Sequence, residues 1–193
     1  MENGGGISYT IPNETNLKEY YIKGEYSDPN LGTRKVIAPV EGTSGNDRFY
    51  VISLEDFNSG TSYCYFAGFK YLYLDVTPEG EDFGKGEKNT QDMMNLWKRE
   101  TGYQNMGNWD DIFGAMQTEY NNGWFIPSKS ELVALSNELN VTESTYNELG
   151  LNYGYWSSSS YSSTRTYYAR FVFGQMSNIT NDADLHVRLA KKF

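Results

Sequence analysis

The sequence is poor in the residues that metal, redox and acid–base sites most often use. Cys64 is its single cysteine and His186 its single histidine. One cysteine excludes an intramolecular disulfide and any multi-cysteine metal site. The aromatic neighbours Tyr63 and Tyr65 predict that Cys64 is a small buried side chain. One histidine leaves a His-based pair or triad without a second member. We therefore expect no enzymatic activity, no cofactor and no metal.

Long apolar runs and excess positive charge are also missing. No run is long enough to span a bilayer, and no signal-peptide pattern follows Met1. The net charge is −9 and the isoelectric point is about 4.6. Nucleic-acid binding depends on a basic surface that such a chain does not offer. We expect neither membrane insertion nor a nucleic-acid partner.

Lysine and glutamate are absent from one long stretch near the C-terminus. The chain holds ten Lys and fifteen Glu, yet none of them lies between residues 149 and 190. Arg and Asp do occur there, so charge itself is not excluded. Tyr, Ser, Gly and Asn with occasional Arg are the residues of adaptable binding loops. The alternative is that a Tyr/Ser/Asn-rich surface simply contains little Lys and Glu.

Within this stretch the sequence predicts a polar turn region followed by strands. Residues 155 to 163 are too polar for a core and too rich in Ser for a helix, because Ser favours turns and caps. Alternation then predicts a strand over 168 to 173, and a terminal strand over 185 to 189. The first of these strands would bury Ala169, Phe171 and Phe173 and expose Tyr168 and Arg170.

The remainder of the chain predicts one domain with a short leading segment. Residues 1 to 48 are expected to be a strand-poor lead-in or linker packed on a domain of residues 49 to 193; residues 17 to 26 fit a helix or a strand. Strands are expected at 49 to 54 and twice within 63 to 76.

The middle of the chain predicts three helices. The first would be capped by Thr90 and end near Gly102, and the second would span 109 to 120. The third follows a capping box of Ser128 with Glu131, before Leu132, Leu135 and Leu139. The expected class is α+β, with short mixed antiparallel sheets and two or three helices.

Four motifs resemble those of a bacterial and phage family with a C-type-lectin-like fold, related to the formylglycine-generating enzymes. Residues 123 to 132, GWFIPSKSEL, are similar to its GW-x-L/I-P-S/T-x-x-EL signature, and residues 86 to 90, GEKNT, to the segment before its first helix. Residues 155 to 163, YWSSSSYSS, resemble its YWSSS-x-YSS run, and residues 187 to 193, VRLAKKF, its closing VRPVRAF. The matches run in order over residues 80 to 193. Leu189, Ser160 and Thr166 depart from the usual Pro, acidic residue and Ala.

The resemblance implies two further expectations. The family includes the variable proteins of diversity-generating retroelements, whose C-terminal segment is rewritten by adenine-specific mutagenesis of asparagine codons. Such mutagenesis never yields Lys, Glu, Gln, Met or Trp, which is consistent with the Lys/Glu gap and makes Trp156, Gln175 and Met176 fixed scaffold. Ordinary family members also carry Ser- and Asn-rich ends, so a non-diversified module stays open.

Enzymatic and calcium-dependent alternatives have little support. Formylglycine-generating enzymes are known to work through cysteine and metal, and this chain has one cysteine. Asp110 and Asp111, and the group Asn181, Asp182 and Asp184, offer oxygen ligands for calcium. However, the EPN and WND pairs of calcium-dependent lectins are not in place. We interpret these acidic clusters as solvated turns.

The resulting hypothesis is a non-enzymatic ligand- or receptor-binding protein that binds a protein or glycan surface through the segment 150 to 186. The alternative is a structural or adhesin-type surface module without a diversified site. Either would be located on a phage virion or a bacterial cell surface, and the oligomeric state stays open. The candidate ligand-binding residues are Tyr153, Tyr155, Ser160, Tyr161, Ser163, Arg165, Tyr168, Arg170, Asn178, Asn181, Asp182, Asp184 and His186.

Overall fold

The described part of the chain has an α+β fold with short antiparallel sheets. A computed structural model describes residues 20–28, 32–40, 50–53, 55–65, 84–99, 111–138, 141–171 and 175–192. Across these ranges the strands, in chain order, are β1 (Tyr20–Asp28), β2 (Gly32–Val40), β3 (Tyr50–Ser53), β4 (Tyr63–Cys64), β5 (Trp124–Phe125), β6 (Tyr155–Ser162), β7 (Arg165–Arg170), β8 (Gln175–Thr180), β9 (Asp184–Leu185) and β10 (Ala190–Lys192). The helices are α1 (Gly86–Arg99), α2 (Ile112–Ala115), α3 (Gln117–Asn121) and α4 (Lys129–Glu138).

The largest sheet joins the two ends of the chain. Its strand order is β1-β2-β3-β10-β5, and every neighbouring pair is antiparallel. The C-terminal strand β10 lies between β3 and β5, with Ala190 opposite both Ile52 and Phe125. The terminal strand predicted over 185 to 189 is wrong in its position: the structure has the short β9 at Asp184–Leu185 and no strand over 187–189. The strand that closes this sheet beside the early β3 is β10.

The expectation of a strand-poor N-terminal segment is wrong for residues 20–28 and 32–40. They form a hairpin that is in register from Tyr20 opposite Val40 to Asp28 opposite Gly32. The open choice for residues 17 to 26 is therefore a strand over the described residues 20–28. The runs of aromatic and β-branched residues in this segment favour strands. Gly24 and Pro39 are unfavourable in strands and interrupt these runs, so the sequence pattern did not predict the hairpin.

The other two sheets carry the C-terminal segment. β4 pairs with β9, and β7 lies between β6 and β8 in a three-stranded sheet. The β7–β8 register is continuous, whereas the β6–β7 register shifts twice between Trp156 and Ser162. Strands predicted within 66 to 76 lie outside the described residues.

The serine run is a buried strand, which corrects the predicted polar turn. Ser157, Ser158, Ser159 and Ser160 are all buried in β6. The first donates from Oγ to the Tyr167 carbonyl at 2.9 Å, and Ser159 Oγ accepts from the Lys129 amide at 2.9 Å. Ser158 donates its amide to the Pro127 carbonyl at 2.8 Å. Hydrogen-bonded hydroxyls can be buried at small cost. Ser157 thus connects β6 to β7, and Ser158 and Ser159 connect it to the start of α4, whereas the buried Ser160 hydroxyl has no hydrogen-bond partner among the described residues.

Two hydrophobic clusters lie on opposite faces of the three-stranded sheet. Trp156, Tyr168, Leu185, Val187 and Leu189 belong to the larger cluster, which α1 and α2 cover. The smaller cluster contains Tyr155, Ala169 and Phe171 with residues of α4. Trp124 and Trp156 are fully buried. The predicted burial of Ala169, Phe171 and Cys64 is confirmed, and Phe173 lies outside the described residues.

The predicted and observed helix starts agree best where the sequence contains a capping box. α4 begins at Lys129 as predicted, and Leu132 and Leu135 are buried; Leu139 lies outside the described residues. α1 begins at Gly86 instead, so Thr90 does not cap it. The buried Thr90 hydroxyl donates to the Gly86 carbonyl at 2.8 Å and accepts from the Ile126 amide at 3.0 Å. The second predicted helix is divided at Met116 into α2 and α3.

Candidate binding surface

The predicted ligand-binding residues fall into exposed, half-buried and buried groups. Tyr153, Tyr161, Ser163, Asp182 and Asp184 are exposed, and Arg165, Arg170, Asn178 and His186 are half-buried. Four others are buried, which contradicts their expected exposure: Tyr155, Ser160, Tyr168 and Asn181.

Three of the buried residues are parts of the core. Tyr168 lies opposite Trp156 in the β6–β7 pairing and packs in the larger hydrophobic cluster. Burial raises the pKa of its hydroxyl. Asn181 accepts a hydrogen bond from the Thr166 hydroxyl at 2.8 Å, and Ser160 lies opposite Thr166. The exposed-face prediction for Tyr168 is wrong because both faces of β7 are covered there.

Tyr155 belongs to a buried polar network, which we call the Asp56 network: Asp56, Asn152, Tyr155 and Arg188. The Tyr155 hydroxyl donates to Asp56 Oδ1 at 2.7 Å, and Arg188 Nη2 lies 2.9 Å from the same oxygen. Asn152 donates its side-chain amide to Asp56 Oδ2 and its backbone amide to the Tyr155 hydroxyl. Burial raises the pKa of Tyr155 to about 12, although the nearby Arg188 lowers it.

The Asp56 network anchors three separated segments to one another. Arg188 is only 1% exposed at its side chain and also donates to the backbone carbonyls of Ser53 at 3.3 Å and Gly150 at 3.1 Å. His186 Nδ1 lies 3.9 Å from Asp56 Oδ2 at the edge of this network. The His186 backbone bonds to Gly154 and Trp156 on β6. The network therefore holds the segment that enters β6 in place.

The exposed end of the three-stranded sheet carries the first of two polar aromatic surfaces. We call it the Tyr161 surface: Lys129, Tyr161, Arg165, Tyr167 and Asn178. The Tyr161 and Tyr167 rings are 5.4 Å apart at 88°, and Tyr161 is 54% exposed. Lys129 Nζ lies 4.1 Å from the centre of the Tyr167 ring. Arg165 donates to the Asn178 side chain at 2.6 Å and to its carbonyl at 3.0 Å.

The turn after β6 and the turn after β8 lie next to each other at this end of the sheet. Asn181 donates its amide to the Thr164 carbonyl at 3.0 Å, which joins the turn after β6 to the turn after β8. Ser163 and Asp182 are exposed in these turns. They therefore lie at the same end of the sheet as Arg165, whereas Asp184 lies opposite Cys64 in the β4–β9 pair.

The second surface lies on the other face of β7. We call it the Tyr153 surface: Tyr153, which is 48% exposed, and Arg170, whose guanidinium carbon is 5.6 Å from the Tyr153 ring centre. Successive strand residues point to opposite faces, so Arg170 faces away from Arg165 and Tyr167. The single Tyr/Arg patch expected from the sequence is thus divided into two.

Two residues of the Tyr161 surface were not predicted, namely Tyr167 and Lys129. Tyr167 precedes the strand predicted over 168 to 173, and in the observed β7 it lies two residues before Ala169 on the same face. α4 covers Ala169 but leaves the other end of that face open, and the first residue of α4 contributes Lys129. The Tyr-rich composition of the segment was a sequence signal that could have included Tyr167 in the site. Lys129 lies near Tyr167 only because the fold brings the start of α4 to this sheet, so no local signal could have identified it.

The acidic residues considered for calcium are not grouped together. Asp111 is buried and caps α2 by accepting from the Gly114 amide at 2.7 Å, so it is not a solvated turn residue. Asp110 lies outside the described residues. In the described ranges, no group of three or more His, Cys, Asp or Glu side chains is suited to a metal ion. No helix in this part of the chain is both long enough and apolar enough to cross a bilayer.

Comparisons with known proteins give little guidance. No protein-family model matches the chain. A search of curated proteins finds no match. Among solved structures, the chain is similar to a fimbrial protein from Bacteroides ovatus ATCC 8483, at 16% sequence identity and a TM-score of 0.43. The similarity covers 76% of this chain and 36% of that one, so this chain spans about a third of its length. We draw nothing about function from a similarity of this strength.

Proposed function

We propose that the protein is a non-enzymatic binding module and that its ligand, a protein or glycan surface, contacts the Tyr161 surface. The main observation for this proposal is the pair formed by the exposed Tyr161 and the half-buried Tyr167, bordered by the cations Lys129 and Arg165. Tyr and Arg are enriched among the residues that dominate binding energy at interfaces. Tyr supplies a large contact area at a low cost in conformational entropy.

The Tyr161 surface is ordered before any ligand arrives. Tyr167 is held between Tyr161 and the Lys129 ammonium, and the guanidinium of Arg165 is held by two bonds to Asn178. Side chains that are already ordered lose less entropy on binding. Among the predicted residues, we assign Tyr161, Ser163, Arg165 and Asn178 to this site.

A C-type-lectin-like scaffold is part of the same proposal. Its support is that residues of the resembling motifs meet one another. Ser159 of the serine run accepts from Lys129 of the GW-type signature, and Glu131 of that signature accepts from Gly84, just before the GEKNT segment. Arg188 of the closing motif binds Tyr155 at the start of the serine run. Such mutual contacts are what a shared scaffold requires.

We also propose that exposed positions within residues 150 to 186 are diversified and that the protein acts at a phage or bacterial cell surface. Sister copies from the same genome would then differ mainly at exposed positions such as Tyr161 and Ser163. The buried Ser157 and Trp156 would be unchanged. Differences spread evenly along the chain would instead indicate an ordinary structural or adhesin-type paralogue.

A binding screen with two matched variants tests the site. The protein is applied to arrays of immobilised glycans and bacterial surface proteins, and any ligand found is titrated against each variant. Tyr161→Ala/Tyr167→Ala should weaken binding by at least about 2 kcal/mol, as loss of a dominant contact does. Tyr153→Ala, which changes an exposed tyrosine on the opposite face, should bind as the wild type does.

The reverse result would contradict this assignment. If Tyr153→Ala loses the ligand and the double variant keeps it, the Tyr153 surface is the binding site. Thermal midpoints of both variants serve as the control. Substitutions of exposed residues usually change stability by about 0.5 kcal/mol or less. A large decrease in the thermal midpoint of the double variant would therefore show that Tyr161 and Tyr167 stabilise the fold, and that its loss of binding cannot be assigned to the site.

A further inference from the structure

The outer edge of β8 is open in the described part of the chain. β8 is an end strand of the three-stranded sheet and pairs with β7 on its inner side. Across the described residues, no backbone hydrogen bond joins β8 to a strand other than β7. None of its six side chains is buried. In an end strand, the N–H and C=O groups of every second residue point outward. β8 therefore offers a row of main-chain donors and acceptors.

The opposite edge of the same sheet is closed. β6 is buried over residues 155–160, and its backbone bonds to segments other than β7. The Trp156 amide donates to the His186 carbonyl at 3.0 Å, and the Ser158 amide donates to the Pro127 carbonyl at 2.8 Å. The fold thus covers the β6 edge with other parts of the chain and leaves the β8 edge accessible.

β8 lacks the features that usually prevent another strand from pairing with an edge. Proteins protect open edges with Lys, Pro, β-bulges or very short strands. β8 contains no charged residue and no Pro. Its register with β7 is continuous from Gln175 to Thr180, without a bulge. A regular, uncharged strand of this length is a suitable template for one further strand.

The Tyr161 surface extends to this edge. Its member Asn178 is a residue of β8 and lies opposite Tyr167 of β7. Arg165 donates to the Asn178 side chain and to its carbonyl. A carbonyl oxygen has two lone pairs, so this one can accept a second donor. Because strand side chains alternate between faces, every second side chain of a strand added to β8 would lie beside the Tyr161 surface.

The charge of the Tyr161 surface indicates which side chains suit it. Lys129 and Arg165 provide two positive charges, whereas Asp182 in the adjoining turn provides one negative charge. The guanidinium of Arg165 bonds to an amide group and forms no ion pair among the described residues. Complementary charge favours the correct partner and speeds its association. Acidic side chains are therefore favoured at the positions that face this surface.

We propose that β8 binds an extended segment of a partner protein as an added strand, with acidic side chains at the alternate positions that face the Tyr161 surface. Main-chain hydrogen bonds to β8 would supply affinity, and the Tyr161 surface would select the side chains. This inference rests on the proposed function, because it uses the same surface. It narrows the ligand from a protein or glycan surface to an extended polypeptide.

Displayed peptides test the proposal on the full chain. A phage library of random peptides is selected against the protein, and enriched peptides should carry Asp or Glu two positions apart. The tightest peptide is then synthesised with two N-methylated isomers, in which alternate sets of backbone amides are blocked. Only every second amide of an added strand faces β8. One isomer should bind at least about tenfold more weakly, as loss of several hydrogen bonds does, and the other should bind as the parent peptide does.

Two protein variants separate the edge from the Tyr161 surface. Tyr161→Ala/Tyr167→Ala should weaken binding of the parent peptide at least about tenfold, because the alternate side chains lose their contacts. Asn137→Ala, which changes an exposed side chain on α4, should leave binding unchanged. The N-methylated pair is measured on the wild-type protein, so that comparison does not depend on how a variant folds.

The outcomes distinguish failure of strand addition from failure of the proposed function. No enriched peptide, or isomers that bind equally, would overturn strand addition. Equal isomers with a parent peptide that Tyr161→Ala/Tyr167→Ala no longer binds would leave the proposed function standing. Unequal isomers with unchanged binding in that variant would keep strand addition and contradict the Tyr161 surface as the site. A full chain that is a dimer, and that the parent peptide dissociates, would identify a second copy as the occupant and overturn the partner assignment.

Discussion

At the scale of single residues, Arg188 shows why strand alternation can mislead. Alternation in the terminal strand predicted over 185 to 189 puts Arg188 on the face opposite the apolar Val187 and Leu189. Its side chain is nevertheless buried, because Asp56, which is 9% exposed at its side chain, provides an opposite charge 2.9 Å away. A buried ion pair needs good geometry and additional hydrogen bonds, which the carbonyls of Ser53 and Gly150 supply. No local pattern could have revealed a partner so far away in sequence.

Removing the arginine should therefore be costly. Arg188→Met leaves the Asp56 carboxylate buried without its cation, and we expect a loss of about 3–5 kcal/mol in the free energy of unfolding. Urea denaturation measures it. The double variant Asp56→Asn/Arg188→Met should lose much less than the sum of the two single changes, because the partners are coupled. Strict additivity would show that the pair is not an energetic unit.

At the scale of elements, the start of α4 combines a predicted feature with an unpredicted one. The capping box is confirmed: the Ser128 amide donates to Glu131 Oε2 at 2.6 Å, and the Glu131 amide to Ser128 Oγ at 3.3 Å. Glu131 also accepts from the Gly84 amide at 3.1 Å, just before α1. A Cβ on Gly86 would lie 2.3 Å from Glu131 Oε2. The local cap was readable from the sequence, whereas its role in joining two helices required the fold.

The buried Glu131 predicts a pH dependence of stability. Burial raises the pKa of Glu131 to about 7, outweighing the backbone N–H groups that favour the carboxylate. Because the folded-state pKa exceeds the ordinary value of 4.5, this group contributes stability below pH 4.5 and loses it as the pH rises to about 7. The expected loss is on the order of 3 kcal/mol. Glu131→Gln should remove this slope.

Comparing the wild type with Glu131→Gln separates the pH dependence caused by Glu131 from that caused by the other acidic residues. The free energy of unfolding is measured by urea denaturation from about pH 4.5 to about pH 8. The difference between wild type and Glu131→Gln should change across this interval and be flat above it. A difference that stays constant with pH would mean that Glu131 is ionised throughout, held by its backbone donors.

In the three-stranded sheet, too, the sequence predicted the local alternation of side chains but not which distant elements cover each face. Alternation correctly gave β7 two faces, with Tyr168 and Arg170 on one and Ala169 on the other. It could not show that α1 and α2 cover the first of these faces, and so the sequence wrongly predicted an exposed Tyr168.

At the scale of the whole molecule, the α+β class followed from local patterns, but the sheet order did not. Helix caps and strand alternation act within a few residues, which is why the start of α4 was predicted. The strand predicted over 168 to 173 overlaps only the last three residues of β7. The pairing of β10 with both β3 and β5, and of β2 with β3, joins residues far apart in sequence. Nothing in the chain's local composition indicates such partners.

That arrangement predicts that the N-terminal hairpin is part of the domain. β2 pairs with β3 through Val36 opposite Ser53 and Ile37 opposite Ile52, and it also contacts α4. Deleting residues 1 to 48 would leave β3 as an open edge and remove the β2 contact with α4. We expect a chain that begins at Phe49 to have a clearly lower urea midpoint than the full chain, because an isolated edge loses its ladder bonds and packing.

Hydrogen exchange on the intact protein provides the control for this deletion. In a single cooperative unit, the slowest amides of β2 and β10 open with the same free energy. Both strands neighbour β3, so equal protection is expected if the sheet unfolds as a whole. Earlier exchange in β2, together with an unchanged midpoint in the shortened chain, would show that residues 20–40 are an attached hairpin and that residues 49 to 193 fold without them.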